Sequence, residues 1–189
     1  MSAGTGRAAP AAPDPPLSDG TVTLRPPSER DLSAIEAGIR DPDVVRWIGP
    51  PEGTAAEVLA LNRSRWQAGA PTFAICDADD RCLGHVWVNR GTKDPAIGFI
   101  GYWLLPTERD RGLATRAVRL LATWAMAAMD LHELRLVTEP GNLRSQAVAE
   151  RSGFVRVDGP PGRAEIDGRA QDSVVFVYPF GPAISPPTS

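Results

Sequence analysis

The chain has 189 residues, a hydrophobic fraction of 42% and a formal net charge of -3, enough to bury one substantial core. The acidic balance argues against broad nucleic-acid contact, because phosphate-binding surfaces carry a basic excess. No apolar run is long enough for a signal-peptide core or a membrane span, so a cytoplasmic protein with no membrane partner is expected.

Met1 to Asp19 is rich in Ala, Pro, Gly and Ser, with Pro10, Pro13, Pro15 and Pro16 breaking any regular pattern, and reads as a disordered tail. Gly181 to Ser189, with Pro182, Pro186 and Pro187, reads as a second one, leaving a single domain over residues 20–180. Val22 to Arg25 is a strand candidate. Ser28 precedes an acidic first turn (Glu29, Asp31) and a helix whose Leu32, Ile35 and Ile39 share one face. Asp41-Pro42-Asp43 stops that helix, Val44 to Ile48 is a short apolar segment, and Thr54 caps a second helix through Val58, Leu59, Leu61 and Trp66. Trp47, Ile48 and Trp66 either wall a pocket or fill the core.

Phe73 to Cys76 and Cys82 to Asn89 flank the turn Asp77-Ala78-Asp79-Asp80 and read as an antiparallel hairpin. The two cysteines, Cys76 and Cys82, are too few for a disulfide framework. With only His85 and His132 beside them at no ligand spacing, no metal is expected and reduced core thiols are. Ile97 to Leu105 is a third strand. A helix from Gly112 to Met129 follows, with Val118, Leu121, Trp124, Ala125 and Ala128 as a broad apolar face that packs on a sheet. Then come a strand at Leu134 to Thr138, the turn Glu139-Pro140-Gly141, a helix near Leu143 to Ser152, a strand at Phe154 to Asp158 and a last strand at Ser173 to Tyr178. That order makes a mixed α/β layer, a central sheet covered by helices. The last strand offers an edge for pairing, so monomer and homodimer both stay open.

The segment Arg109-Asp110-Arg111-Gly112-Leu113-Ala114-Thr115 joins an apolar strand to a helix start, which aims backbone N–H groups at an anion. Gly112 and Ala114 leave the backbone open to close approach, and Arg109, Arg111, Arg116 and Arg119 supply a local basic patch, unless those arginines simply solvate a helix face.

These residues resemble a family. Arg109 through Ala114 looks like the acyl-CoA pyrophosphate loop of the GNAT N-acetyltransferase superfamily, and Asn142-Leu143-Arg144-Ser145 followed by Gly153-Phe154 looks like its next motif. Val22-Thr23-Leu24-Arg25-Pro26, Asp41-Pro42-Asp43-Val44-Val45-Arg46-Trp47-Ile48 and Ile100-Gly101-Tyr102-Trp103-Leu104 are similar to the RimJ/RimL branch, which acetylates protein N-termini. The resemblance implies one GNAT-type domain with a central, mostly antiparallel, splayed sheet, acetyl-CoA as acyl donor and an amine acceptor, either a peptide N-terminus or a small molecule. A non-catalytic acyl-CoA-binding module is a further alternative. It implies that Trp103, Leu104 and Leu105 end the strand whose free backbone groups bind the pantetheine arm. It also implies that Asn142, a good N-cap in its own right, contacts that arm.

An amine attacking a thioester needs an oxyanion site, a route for the ammonium proton and an acid for the leaving thiolate. Relatives that use a tyrosine acid carry it seven residues after the Asn, where this chain has Ala149; Ser145, which RimL-type proteins also have, is the acid expected here. Ser145 is also an ordinary helix serine. Relatives place a base carboxylate at the positions of Phe99 or Val137, and both are apolar here. The remaining base candidates, in order, are a water held by backbone and Tyr102, then His85, then Glu139.

Overall fold

The apolar segments pair into one mixed sheet. The computed structural model describes residues 9–51, 53–157, 162–166 and 169–179, with 162–166 and 169–171 described by backbone alone. Its strands are β1 (Leu17–Ser18), β2 (Thr23–Arg25), β3 (Thr72–Cys76), β4 (Cys82–Arg90), β5 (Ile97–Leu104), β6 (Glu133–Thr138), β7 (Val155–Arg156), β8 (Gly162–Ile166) and β9 (Arg169–Val177). They run in the order β1-β2-β3-β4-β5-β6-β9-β7, with β8 paired to β9. β5 and β6 are parallel, and the other pairings are antiparallel.

Five helices complete the described fold: α1 (Leu32–Arg40), α2 (Pro42–Ile48), α3 (Ala55–Gln67), α4 (Leu113–Ala128) and α5 (Leu143–Arg151). Side chains alternate across β3, so the two faces of the sheet gain different covers. Phe73 and Ile75 join Ala117, Val118, Leu121, Ala122 and Ala125 of α4 in the main core, while Ala74 and Cys76 pack with Ala34 of α1. Trp66 belongs to the core side of the question the sequence left open: its ring lies 4.8 Å from that of Phe73. Both cysteines are buried free thiols, and burial pushes each up to about 12.

Four local expectations are revised. Asp41-Pro42-Asp43 ends α1 but also starts α2, because Asp41 accepts from the Val44 N–H at 3.0 Å and proline at a first helical position gives up an N–H that has no helical partner. The tail ends earlier than Asp19: β1 pairs with β2, and the Trp66 indole N–H donates to the Pro10 carbonyl at 3.0 Å. A proline-rich composition rules out a central strand, whereas an edge strand needs pairing on one side only. Residues 1–8 and 180–189 lie outside the described residues. Third, Ser173 to Tyr178 is not an edge, since β9 lies between β6 and β7, and β8 pairs with the first half of β9. The sequence Gly162-Arg163-Ala164-Glu165-Ile166 alternates non-polar and charged residues, but with Ile166 as its one large apolar side chain it announces β8 only weakly. Fourth, the strand expected at Phe154 to Asp158 shortens to β7, with 158 outside the described residues. Among the described residues, no helix is long and apolar enough to cross a membrane.

The expected splay is present. Pairing of β5 with β6 runs from Ile97↔Glu133 to Ile100↔Leu136 and stops, although β5 continues to Leu104 and β6 to Thr138. The strands part at their C-terminal ends and leave a gap in the middle of the sheet.

Candidate functional site

The gap exposes a definite set of backbone groups. The Leu105 N–H donates to the Leu83 carbonyl at 2.9 Å, and His85↔Trp103 and Val86↔Tyr102 are paired positions. Alternation in an antiparallel ladder therefore turns the backbone of Trp103 and Leu105 into β4, and that of Tyr102 and Leu104 toward the gap. Of the three residues expected from the family, the structure turns the backbone of Leu104 toward the gap, together with that of Tyr102, and that of Trp103 and Leu105 into the sheet. The gap opens into a cleft of about 1390 Å³ lined by α2, β5, β6 and the starts of α4 and α5.

One wall is the segment that precedes α4. Asp110 and Gly112 both have positive φ, 61° and 74°, which swings the chain so that α4 begins facing the cleft. No side chain caps the first turn. The first helical bond is Arg116 N–H to Gly112 O at 3.2 Å, so the N–H groups of Leu113, Ala114 and Thr115 have no helical acceptor. They stand open at the positive end of a long helix, an arrangement able to receive an anion. A Cβ on Gly112 would meet nothing within 4 Å, so glycine is there for its φ rather than for space. Leu113 and Ala114 are buried and contribute backbone.

The arginines behave differently from the expected free basic patch. Arg111 pairs with Glu108, a buried carboxylate that Arg81 also holds at 3.0 Å. Arg116 pairs with Asp19 at 2.8 Å, and Arg119 donates to the Arg151 carbonyl at 2.7 Å. Arg109 pairs with Asp41 at 2.5 Å and Asp43 at 2.9 Å. Their charge is largely committed within the protein, and the pull on an anion comes from the helix start.

The opposite wall is α5. Asn142 caps it by accepting from the Ser145 N–H at 3.1 Å, and both residues line the cleft. Tyr102 and Ser145 both line the cleft, and the Ser145 hydroxyl is near enough to the Tyr102 phenol to act on its ionisation. Burial pushes the Tyr102 phenol up to about 12, with the Ser145 contact acting the other way, so the phenol stays protonated at neutral pH. Two residues reached separately from the sequence, one on β5 and one on α5, thus lie on the same cleft.

His85 is not part of this arrangement. It lies 2% exposed within the sheet, its ring 5.0 Å from that of Trp103, and its Nε2 finds no hydrogen-bond partner among the described residues. Burial drops its pKa to about 4, with Asp31 pulling it back and Arg25 adding to the drop. A buried imidazole off the cleft has no route to an incoming amine, so His85 is withdrawn as a base. Glu139 does line the cleft, as do Phe99 and Val137.

The residues that sequence reasoning left undecided or did not weigh are on α2 and the outer rim. Trp47 and Ile48 line the cleft, and the Trp47 ring reaches to 4.0 Å from where a Cβ on Gly141 would stand. Arg46 lies over that ring at 4.6 Å, and the Arg135 guanidinium lies 5.9 Å from the Phe99 ring. The only available signal was the aromatic residue in an exposed short apolar segment.

Comparison with known proteins agrees with this geometry. The acetyltransferase (GNAT) domain family matches residues 21–155. "Probable N-acetyltransferase YjcK" of Bacillus subtilis (strain 168) is 34% identical over 108 residues, which cover 55% of this chain and 59% of that protein. The chain thus aligns with about three fifths of that relative. Among solved structures, Mycobacterium smegmatis RimJ in complex with CoA-disulfide superposes with a TM-score of 0.66 at 26% identity, over 84% of this chain and 81% of that one. RimL, titled a ribosomal L7/L12 alpha-N-protein acetyltransferase and bound to coenzyme A, gives 0.69 at 22% identity, over 86% and 95% of the two chains. The matched region takes in the splayed pair and the start of α4, and members of this family use acetyl-CoA as acyl donor; the chain belongs to the GNAT acetyltransferase family.

Proposed function

We propose that this chain transfers the acetyl group of acetyl-CoA to the α-amine of a polypeptide N-terminus. The observation that carries the reading is the chemistry of the gap, where the Tyr102 phenol stays protonated beside Ser145 and the positions at which relatives carry a carboxylate are the apolar Phe99 and Val137. Glu139, just past β6, is the carboxylate candidate left on the cleft, and an acceptor that arrives partly neutral asks little of it. At pH 7.5 an α-amino group of pKa about 7.8 is about one third neutral, against about one in a thousand for a lysine of pKa about 10.4. RimL, named for an α-N-protein substrate, shares the fold.

In this reading the N–H groups of Leu113, Ala114 and Thr115 hold the diphosphate, Asn142 orients the pantetheine arm, and the Tyr102 and Leu104 backbone faces the thioester. The amine nitrogen attacks the carbonyl carbon, and the charge gathering on oxygen is met by backbone N–H donors. The nitrogen's surplus proton leaves through a water held by backbone and the Tyr102 hydroxyl. As the C–S bond breaks, Ser145 gives its proton to the departing sulfur and regains one from Tyr102 or water.

The rim mixes both charges. Arg46 is exposed over Trp47, Arg144 is 71% exposed but 3.9 Å from Asp43, and Arg135 pairs with Glu133. Asp94, Asp110 and Glu139 also line the cleft, so polyamines and aminoglycosides are the acceptors to set against a peptide. Thiol release from acetyl-CoA across N-terminal peptides, polyamines and aminoglycosides is the test. Release confined to peptides supports the reading, and faster release with polyamines overturns the acceptor class. Thermal stabilisation by acetyl-CoA with no release on any amine indicates a binding module instead.

A further inference from the structure

Arg109 occupies the loop position where a cation would be expected to meet the donor's phosphates, yet each guanidinium nitrogen is engaged elsewhere. Its Nη2 donates to Asp41 Oδ1 at 2.5 Å, its Nη1 to Asp43 Oδ2 at 2.9 Å, and its Nε to the Leu104 carbonyl at 3.2 Å. The side chain is 20% exposed. Three bonds to two carboxylates and a carbonyl take one donor from each guanidinium nitrogen, three of its five N–H groups, and hold the fork in place.

The carboxylates belong to α2. Asp41 is its N-cap. Burial would push the Asp41 carboxyl up, but the Arg109 and Val44 hydrogen bonds outweigh it and hold the group below the usual carboxylate range. α2 buries none of its residues, so it lacks an apolar anchor in the core and depends on its junction with α1 and on this clasp. At its far end Trp47 reaches over the turn at Gly141, directly before Asn142. One short helix therefore joins the donor loop at one end to the roof of the cleft at the other.

The loop itself is stiff. Glu108 is buried and fixed by Arg81 and Arg111, and Asp110 and Gly112 sit at positive φ. An anion taken up by the N–H groups of Leu113 to Thr115 acts on a backbone that is only four residues past Arg109 at its first donor.

We infer that Arg109 is a positioning residue that couples occupancy of the donor loop to α2, so that donor binding firms Trp47 over the cleft. The inference rests on the acyl-transfer reading of the cleft. Linkage makes the coupling reciprocal: an acceptor that holds α2 in place tightens donor binding by the same factor.

The test uses coenzyme A as probe, calorimetry for its affinity, and hydrogen exchange of the Val44 to Ile48 amides with and without saturating coenzyme A. The proteins are the wild type, Arg109→Gln, and Asp43→Asn. The last removes one arm of the clasp at a half-exposed side chain of α2 and leaves the loop untouched. In the wild type coenzyme A should slow α2 exchange at least about fivefold. In both variants that slowing should fall below about twofold while the coenzyme A Kd changes by less than about threefold. A Kd weakened tenfold or more in Arg109→Gln, with a shallower salt dependence, would make Arg109 a phosphate ligand and overturn the coupling. So would undiminished slowing in both variants, or a wild type that binds coenzyme A with α2 unchanged. A wild type that binds no coenzyme A overturns the reading of the cleft and the coupling together.

Discussion

His85 provides a prediction whose size follows from its burial. Its pKa is about 4 in the fold and about 6.5 in an unfolded chain. Between those values the unfolded chain binds more protons than the folded one, so stability is complete above pH 6.5 and falls as the pH drops toward 4. Integrating the two titrations gives a loss of about 2 kcal/mol between pH 6.5 and 4.5. The depressed carboxylates, Asp31 and Asp41 among them, act only lower: their stabilisation is present above about pH 3.9 and is lost as the pH falls through their folded values. His85→Phe keeps a flat ring against Trp103 and removes the titration. Urea denaturation at pH 7, 6, 5 and 4.5 should show the wild type losing about 2 kcal/mol across the acid half of the series and the variant losing less than about half of that. Parallel curves would refute the burial argument and restore His85 as a group able to take a proton at working pH.

Other consequences follow from the same geometry. Gly112→Val places a β-branched side chain at a φ of 74° and should weaken coenzyme A binding at least about tenfold by calorimetry, with the fold kept because a Cβ there meets nothing but the thermal midpoint lowered by the backbone strain; unchanged affinity would remove the loop from the donor site. Ser145→Ala should lower kcat about 10- to 100-fold with little change in the KM for acetyl-CoA. Tyr102→Phe, which leaves its backbone in the gap, should lower kcat by a similar factor, and the double variant should cost about as much as either alone. Fully additive losses would show that the two hydroxyls do not work as a pair.

The parts of this molecule legible in the sequence are those whose physics is local. The start of α4 shows itself through Gly112 and Ala114, because a positive φ and an open helix terminus are properties of a few consecutive residues. The capping signals at Ser28 and Thr54 likewise announce their helices, with Asp31 and Glu57 completing each capping box. What needed the fold is what depends on parity or adjacency. Cys82 to Val86 of β4 are all buried, since both faces of the sheet are covered, so no polar alternation tells which way His85 points. The same parity decides that Leu104 rather than Leu105 faces the gap. Tyr102 and Ser145 share the cleft only because β5 and β6 part and bring α5 opposite β5. Arg109 looked like a phosphate ligand for want of any sequence signal tying it to Asp41 and Asp43, and α2 was hidden behind a proline that reads equally well as a stop.

The central claim is transfer to an α-amine, and it is tested most directly within one molecule. A peptide carrying both a free N-terminal α-amine and an internal lysine, incubated at pH 7.5 with the enzyme and acetyl-CoA, is fragmented by tandem mass spectrometry to locate the acetyl group. The account predicts enzyme-dependent acetylation at the N-terminal nitrogen with the lysine left free. Acetyl groups found equally or mainly on the lysine would contradict it.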